Sequence, residues 1–420
     1  MDPIFLKVVV GTTLLASSSA VVGTFSYLKG QSLVGDAIAH ALLPGVVLAF
    51  MLGDGRNPAY LIFGALVSGL IAHYGIEFIQ NRTKLKSDTA VSLVLSTFFG
   101  FGIMLMSVVQ QRGQGQQAGL ERYLLGKAAA ITMLDVYTFS ALALVLLLGV
   151  ALFYKGFQLM TFNEDFAHAI GLPVDLIRVT FTVLTVLAVT IGIQTVGVVL
   201  MAALLITPAA AARAWTKSLP QMIVLAAMFS AISAILGTLI SSAITKMPTG
   251  PWIVIILGLI GFTSLFIAPE KGWLFKRKRA LENRSKTNRE NIMKLMYRQE
   301  EKCGTGNKLS IPQILSIRAM REDALRVGLK DLKKRLWIIE HIEGFTLTDL
   351  GRIEGRRVVR LHRLWELYLT ERLGMAPDHI HPQAETMEHV ITPEIEALLI
   401  KELGVPERDP HESLIPYENE

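Results

Sequence analysis

The chain has 420 residues, of which 51% are hydrophobic, and carries a formal net charge of +6. Its mean hydropathy of +0.45 is too high for a soluble protein of this length. The single cysteine, Cys303, excludes an intramolecular disulfide and fits a reducing compartment. Long uncharged runs stop near Pro269, so the sequence predicts a membrane region followed by a charged, helix-rich region.

The first region contains about nine apolar segments, each close to the roughly 20 residues that a spanning helix needs. They cover residues 4–28, 33–52, 59–80, 89–109, 132–153, 174–192, 195–212, 221–243 and 252–268. A very tight turn between the sixth and seventh segments leaves eight spans as the alternative. We expect no cleavable signal peptide, because the first apolar run lacks a small-residue cleavage site.

Basic residues in the connecting segments predict the orientation. They cluster at 82–86, at 213–217 and at 271–279, and with nine spans all three clusters fall on one side of the membrane. Cytoplasmic loops carry an excess of lysine and arginine. We therefore expect the amino terminus outside and the second region in the cytoplasm.

The second apolar segment carries two ionisable residues. Asp36 and His40 are four residues apart, so a helix places them on one face, where they could bind one cation. Pro44 follows one turn later and frees backbone carbonyls, as in the wall of a transport pathway. A buried hydrogen bond between Asp36 and His40 that only locks helix packing is the alternative.

A polar segment at 161–173 separates the fifth and sixth spans. Asn163 is a good N-cap, acidic residues follow in the first turn, and Gly171 with Pro173 ends the pattern. This predicts a short helix on the cytoplasmic face, for which an ordinary connecting helix is the alternative reading.

From about residue 6 to 268, the chain resembles the permease subunit of the manganese/zinc/iron family of ABC importers. The resemblance rests on GDAIAHALLPG at 35–45, EDFAHAIGLP at 164–173, TVGVVLMAALLITP at 195–208 and MPTGP at 247–251. It implies a permease domain over 1–270, with Asp36 and His40 in the metal pathway. It also implies an ATPase-coupling helix, whose residues are Glu164, Asp165, Phe166, Ala167, Gly171 and Pro173.

The resemblance also implies a location in the bacterial inner membrane, and it implies partners. They are a second permease subunit, either identical or paralogous, two cytoplasmic ATPase subunits and an extracytoplasmic metal-binding protein. The sequence has no phosphate-binding loop of the form GxxxxGK[ST], so we expect a transporter subunit that is not itself an enzyme, with ATP hydrolysed by a separate chain.

The second region begins with a basic juxtamembrane linker over 271–288. Helical patterns at 289–301, 309–320 and 322–339 then precede an alternating hairpin-like stretch at 344–351, the order of a winged helix-turn-helix domain over 289–354. In this reading Arg321, Arg326 and Lys330 would contact DNA from the recognition helix. The alternative is a basic solvated face.

Two further helical stretches carry a cluster of possible metal ligands. His362 and Glu366 are four residues apart and share a helix face. Glu385, Glu388 and His389 fall on one face of the next helix. All five offer nitrogen or oxygen and none a thiolate, which suits a divalent ion such as manganese or ferrous iron. For the carboxylates alone, a solvated charged face is the alternative.

From about 289 to 416, the chain resembles the diphtheria toxin repressor and manganese-transport regulator family of metal-dependent repressors. The resemblance rests on GFTLTDLG at 344–351, on these ligand residues and on the tail at 404–416. It implies a helical metal-binding and dimerisation domain over 355–420. Manganese is favoured over iron or zinc, because Glu385 stands where iron-type members have cysteine. Glu290 is expected as a ligand from the first helix, and His381 matches an ancillary-site histidine.

Two features argue against DNA binding. Gly328 lies inside the predicted recognition helix, and Glu322 with Asp323 places acidic side chains in its first turn, where they repel phosphate. Three roles therefore stay open for the tail: an autoinhibitory metal sensor, a metal-dependent transcriptional repressor released by proteolysis, and a metal-independent docking module.

Overall fold

The computed structural model describes residues 3–53, 58–111, 131–244, 247–375, 385, 387–389 and 391–417. The chain divides into two compact units, Met1–Phe275 and Lys276–Glu420, which are described separately.

In its described residues, the first unit is built from α-helices joined by short turns, without a strand. Its helices are α1 (Pro3–Leu28), α2 (Val34–Leu52), α3 (Pro58–Arg82), α4 (Ser87–Gln111), α5 (Met133–Leu152), α6 (Tyr154–Phe162), α7 (Glu164–Ala169), α8 (Val174–Val196), α9 (Val198–Trp215), α10 (Leu219–Ala243) and α11 (Thr249–Ile267).

Eight helices within the described residues are long and apolar enough to cross a membrane, namely α1 to α5, α8, α10 and α11. The predicted seventh span corresponds to α9, in which Met201–Trp215 is a shorter apolar helix. Gly197, with φ of 90°, separates α8 from α9. Residues other than glycine rarely adopt this backbone conformation, so the glycine makes the tight turn possible. The chain is thus a multi-pass membrane protein.

Helix α2 lies in the core of the first unit and packs against α3 and α4. At its crossing with α3 the two backbones touch, since a Cβ atom added to Gly45 would lie 2.1 Å from the carbonyl oxygen of Gly64. Small residues allow such close approach in membranes. The Ser68 hydroxyl on α3 donates to the Ala41 carbonyl (2.6 Å), next to the carbonyl that Pro44 leaves without its helical donor.

The second unit consists of α12 (Trp273–Cys303), α13 (Ile311–Ile317), α14 (Glu322–Lys334), the strands β1 (Ile338–His341) and β2 (Gly344–Leu347), α15 (Asp349–Glu371) and α16 (Pro393–Leu403). Helix α12 begins just before the boundary between the units. The predicted fold class, an all-α membrane domain followed by a mainly α winged-helix and helical domain, is confirmed.

The segment that we expected to link the two regions, 271–288, differs from a plain linker because most of it is helical. It forms the first half of α12, in which residues 276–286 are exposed. Pairs spaced by four residues support this exposed helix, with Lys278 and Glu282 3.9 Å apart and Lys286 and Glu290 3.7 Å apart.

Helices α12 to α14 and the hairpin share one apolar core, which includes Ile292, Met296, Leu325, Leu329 and Phe345. Gly328 has a packing role in it, since an added Cβ atom would lie 2.4 Å from Cδ1 of Ile292. The glycine therefore lets α14 approach α12.

The strands β1 and β2 pair antiparallel, with Ile338 opposite Leu347. All four residues of β2 are buried, so its burial does not alternate. The predicted hairpin stretch at 344–351 ends at Leu347, because the Thr348 hydroxyl accepts from the Gly351 amide (3.0 Å) and starts α15.

Candidate metal-binding sites

Asp36 and His40 lie on one face of α2, with Nε2 of His40 3.7 Å from Oδ1 of Asp36. Their side chains are 39% and 23% exposed, although most of α2 is buried. The His40 ring meets the Phe99 ring edge-on, with centroids 5.0 Å apart. Two donors one turn apart can hold a cation loosely. Among the described residues, no third histidine, cysteine, aspartate or glutamate completes a metal site with them.

Pro44 is buried in α2, unlike the partly exposed Asp36 and His40. It lines a cavity of about 1220 Å³ between α2, α3 and α4, whose walls include Leu48, Phe63 and Phe101. Asp36 and His40 are not among the residues that line it. A mostly apolar cavity offers few ligands to a cation.

The predicted coupling segment forms the short helix α7. The Asn163 side chain caps it by accepting from the Phe166 amide (2.9 Å). Ala167 is buried against the unit, whereas Phe166 is 50% exposed and Asp165 faces solvent. Gly171 ends the segment with φ of 79°, and Pro173 directly precedes α8.

Sequence reasoning missed the residue that fixes α7 to the next helix. Arg178 on α8 hydrogen-bonds Glu164 and lies 3.1 Å from Asp175. Arg178 is four residues after Val174, the first residue of α8, and this position does not indicate a contact with Glu164. Only the packing of α7 against α8 brings the two side chains together. Arg178 therefore joins α7 to the membrane-spanning helix α8.

In the second unit the structure brings five predicted ligands together from three places. Nε2 of His362 lies 3.1 Å from Oε1 of Glu366, and Nδ1 lies 2.5 Å from Oε2 of Glu388. Nδ1 of His389 lies 2.6 Å from Oε2 of Glu290. We call this set, with Lys294 described next, the buried cluster. Glu388 and His389 lie in a turn and not on a continuous helix.

Lys294 stands inside the buried cluster, and sequence reasoning did not identify it. Its side chain is 3% exposed, with Nζ 2.7 Å from Oε2 of Glu388 and 2.9 Å from Nδ1 of His362. The available signal was its position on α12, four residues after Glu290 and so on the same helix face.

The charged groups of the buried cluster shift one another's pKa values. Burial lowers the pKa of the Lys294 ammonium, and the Glu388 carboxylate offsets this only in part. Burial alone would raise the pKa of Glu388, but the hydrogen bond to His362 and the charge of Lys294 bring it below its ordinary value. Glu388 is therefore a carboxylate with a cation beside it.

Two predicted ligands are not part of the buried cluster. Oε1 of Glu385 lies 2.8 Å from Nη1 of Arg318, and its side chain is 34% exposed. It lines a cavity of about 470 Å³ together with Lys294 and Arg298. His381 lies outside the described residues.

By kind, the donors of the buried cluster fit a harder divalent ion, since they are imidazoles and carboxylates. Oε1 of Glu388 is buried and accepts no hydrogen bond from the part of the chain that the structure describes. In that same part, no three histidine, cysteine or acidic side chains are arranged to hold a metal ion. In the arrangement observed, the cation of the cluster is the Lys294 ammonium.

The three predicted DNA contacts lie at or on α14. Arg321 directly precedes the helix, and Arg321 and Lys330 are exposed. Arg326 is also exposed, but it donates to Glu322 through Nε (2.9 Å) and Nη2 (2.7 Å). This pairing offsets one of the three positive charges that were predicted to attract the phosphate backbone of DNA.

Two family models match the chain. Residues 1–268 match the ABC 3 transport family. Residues 348–417 match the iron dependent repressor, metal binding and dimerisation domain. The first match covers the membrane unit, and the second covers α15, α16 and the residues between and after them.

Known proteins resemble the chain over the same regions. The manganese transport system membrane protein MntC of Bacillus subtilis is 38% identical over 373 residues, 88% of this chain and 85% of that protein. The zinc transport system membrane protein TroC of Treponema pallidum is 41% identical over 270 residues, 64% of this chain and 91% of that protein. The structure of PsaBC from Streptococcus pneumoniae in complex with Fab aligns with a TM-score of 0.58 and 32% identity, covering 66% of this chain and 96% of that one.

Proposed function

The chain belongs to the ABC 3 transport family, and from this premise we propose that it is the membrane-spanning subunit of an ATP-driven importer of divalent metal ions. Manganese is the favoured substrate, with zinc or iron as alternatives, because relatives that it resembles are named for manganese and zinc transport. Its second unit carries a repressor-like domain, which we propose is a cytoplasmic metal-responsive regulator.

The Asp36–His40 pair carries the transport proposal. An imidazole and a carboxylate one turn apart on a helix that is otherwise largely buried provide an ion with two ligands and a route beside α2. Two ligands per chain suit a second permease subunit, identical or paralogous, that supplies the others. Pro44 would shape this wall through the break that it makes in the α2 hydrogen bonds.

Coupling to ATP would use α7. Its exposed Phe166 and Asp165 offer a surface to a separate cytoplasmic ATPase subunit, while the buried Ala167 holds the helix to the membrane unit. Arg178, bonded to Glu164, would carry the motion of α7 into α8. An extracytoplasmic metal-binding protein would deliver the ion on the other side.

In the regulator, Glu290, His362, Glu366, Glu388 and His389 would hold the metal ion, and Glu385 and His381 would join them as the resemblance implies. A bound divalent ion would supply the positive charge that keeps these side chains of α12, α15 and the turn at 388–389 together. Oε1 of Glu388, which accepts no hydrogen bond from the described residues, supports this role.

A transcriptional repressor, released by proteolysis, is the second candidate for the tail. The exposed Arg321 and Lys330 at the winged-helix face support it. The pairing of Arg326 with Glu322 and the acidic first turn of α14 support the autoinhibitory sensor instead.

The transport proposal is tested by radioactive manganese uptake in cells that lack their own importer and express this chain with its ATPase and binding-protein partners. Asp36→Asn/His40→Gln should lower uptake by about a hundredfold or more, since even outer-shell changes cost 10–100-fold. Asp88→Asn, an exposed carboxylate in the first turn of α4, is the matched control and should transport normally. Full uptake by the double variant would refute the proposal.

A further inference from the structure

The position of Lys294 raises a question that the regulator proposal leaves open. Its ammonium contacts Oε2 of Glu388 and Nδ1 of His362, two of the side chains that would bind the ion. All three side chains are at least 97% buried, so no water layer separates them. A lysine ammonium and a divalent ion bound by Oε2 of Glu388 would use the same carboxylate lone pairs.

Charge explains why a lysine is there. Three carboxylates, those of Glu290, Glu366 and Glu388, belong to the buried cluster. Removing carboxylates from water is costly unless a positive charge compensates for it. Lys294 provides one such charge from inside the cluster, Lys286 lies 3.7 Å from Glu290 at its edge, and His362 and His389 supply hydrogen bonds. The chain therefore offsets part of this negative charge with its own cations.

We propose that Lys294 is a built-in competitor of the metal ion. Its ammonium occupies the cation position in the buried cluster until a high concentration of the metal ion displaces it. The proposal rests on the regulator function proposed above. While the Lys294 ammonium lies 2.7 Å from Oε2 of Glu388, an ion bound by the same carboxylate would meet a positive charge at close range, so Lys294 must move away as the ion binds. A sensor built in this way responds only when the cytoplasmic ion is abundant, as feedback on an importer requires.

The structure also provides room for the displaced side chain. Lys294 lines the cavity of about 470 Å³, whose other charged residues are Arg298, Lys302, Arg318 and Glu385, the last already paired with Arg318. A rotation of the flexible lysine side chain into this cavity would release Glu388 but bring its ammonium near other cations, so the displaced arrangement is costly unless an ion takes its place.

The effect of Lys294 on the affinity for the ion follows from the fraction of molecules in which this side chain lies outside the buried cluster. If the arrangement with Lys294 outside the cluster is populated to one tenth or less, the apparent Kd for the ion is raised about tenfold or more. Lys294→Met, which keeps a similar side-chain length without the charge, should therefore bind manganese about tenfold more tightly than the wild type.

The test measures manganese binding to the purified full chain in detergent, by the electron paramagnetic resonance signal of free Mn²⁺. All proteins carry Asp36→Asn/His40→Gln so that the membrane pair does not contribute. Lys278→Met is the matched control, because it removes an equal charge from an exposed position of the same helix. It should leave the affinity within twofold of the wild type.

Hydrogen exchange provides a second measurement, because Lys294→Met also leaves the carboxylates without their cation. In the variant, α15 should exchange faster than in the wild type without manganese and regain its protection when manganese is added. Failure to regain it, with no gain in affinity, would overturn the proposal.

Glu388→Gln separates this proposal from the regulator function. If the wild type binds manganese in a way that depends on Glu388 but Lys294→Met binds no more tightly, the competitor role is wrong and the regulator stands. If neither protein shows binding that depends on Glu388, both proposals are wrong.

Discussion

The two units treat the same kinds of side chain in opposite ways. In the membrane unit, Asp36 and His40 are partly exposed, 3.7 Å apart, and unaccompanied by a third ligand from the described part of the chain. In the second unit, His362 and Glu366 belong to a buried cluster with an internal ammonium. In the functions proposed above, the Asp36–His40 pair must accept and release its ion, whereas the buried cluster must stay folded until the ion arrives. The difference in exposure and in the number of ligands suits these two proposed tasks.

The largest effect should come from removing the Glu388 carboxylate from the buried cluster of the second unit. Glu388→Gln leaves the Lys294 ammonium buried without its carboxylate, which should destabilise the second unit by about 3–5 kcal/mol. Denaturant unfolding of the full chain, followed by hydrogen exchange in α15, measures this. Glu282→Gln removes an exposed carboxylate from α12 and should cost less than about 0.5 kcal/mol. Equal stability of the two variants would mean that the cluster does not hold the unit together.

In the membrane unit, a substitution at the crossing of α2 with α3 should lower the stability of the fold. Gly45→Ala places a Cβ atom 2.1 Å from a backbone oxygen, which cannot move aside as a side chain can. We expect a loss of about 1–3 kcal/mol and a lower yield of folded protein. Gly100→Ala on α4 is the control, since nothing lies within 4 Å of its added Cβ atom. Thermal unfolding in detergent compares them, and similar midpoints would argue against the close crossing.

A smaller effect is expected at the cap of α7, which tests whether the coupling surface depends on local structure. Asn163→Ala removes the side-chain acceptor for the Phe166 amide and should cost about 1 kcal/mol locally. Manganese uptake should fall while the chain still reaches the membrane. Asn163→Asp keeps an acceptor and should restore uptake. If the alanine variant transports as well as the wild type, the cap does not set the coupling surface.

The smallest effect concerns the charge on α14. Glu322→Gln removes the partner of Arg326, an exposed pair that contributes about 0–1 kcal/mol. Stability should hardly change. If the tail is a repressor, its affinity for promoter DNA should rise, as measured by fluorescence anisotropy at fixed salt. An unchanged affinity would favour the sensor role.

Sequence patterns predicted what local periodicity controls. The spacing of Asp36 and His40, the cap at Asn163 and the spans follow from residues close together in the chain, and the structure has them as helices. The resemblance selected Glu290, which does lie against His389, 99 residues away.

The remainder depends on contacts between distant residues. Lys294 looks like one more basic residue on an amphipathic helix, and only the packing of α12 against α15 brings it to His362. Gly328 reads as a helix breaker, yet it makes room for Ile292. Glu385 matches a ligand position by sequence, but Arg318 binds it in this arrangement. In each case a side chain from another element decides the role.

The most direct test of the comparison is the stoichiometry of manganese binding to the purified full chain without partners, measured by equilibrium dialysis. Since the membrane pair offers two donors per chain and the buried cluster offers five, we predict one ion per chain at saturation. Its affinity should depend on Glu388 and be unaffected by Asp36→Asn. Binding that is lost in Asp36→Asn but retained in Glu388→Gln would contradict the account, because it would place the ion-holding site in the membrane unit.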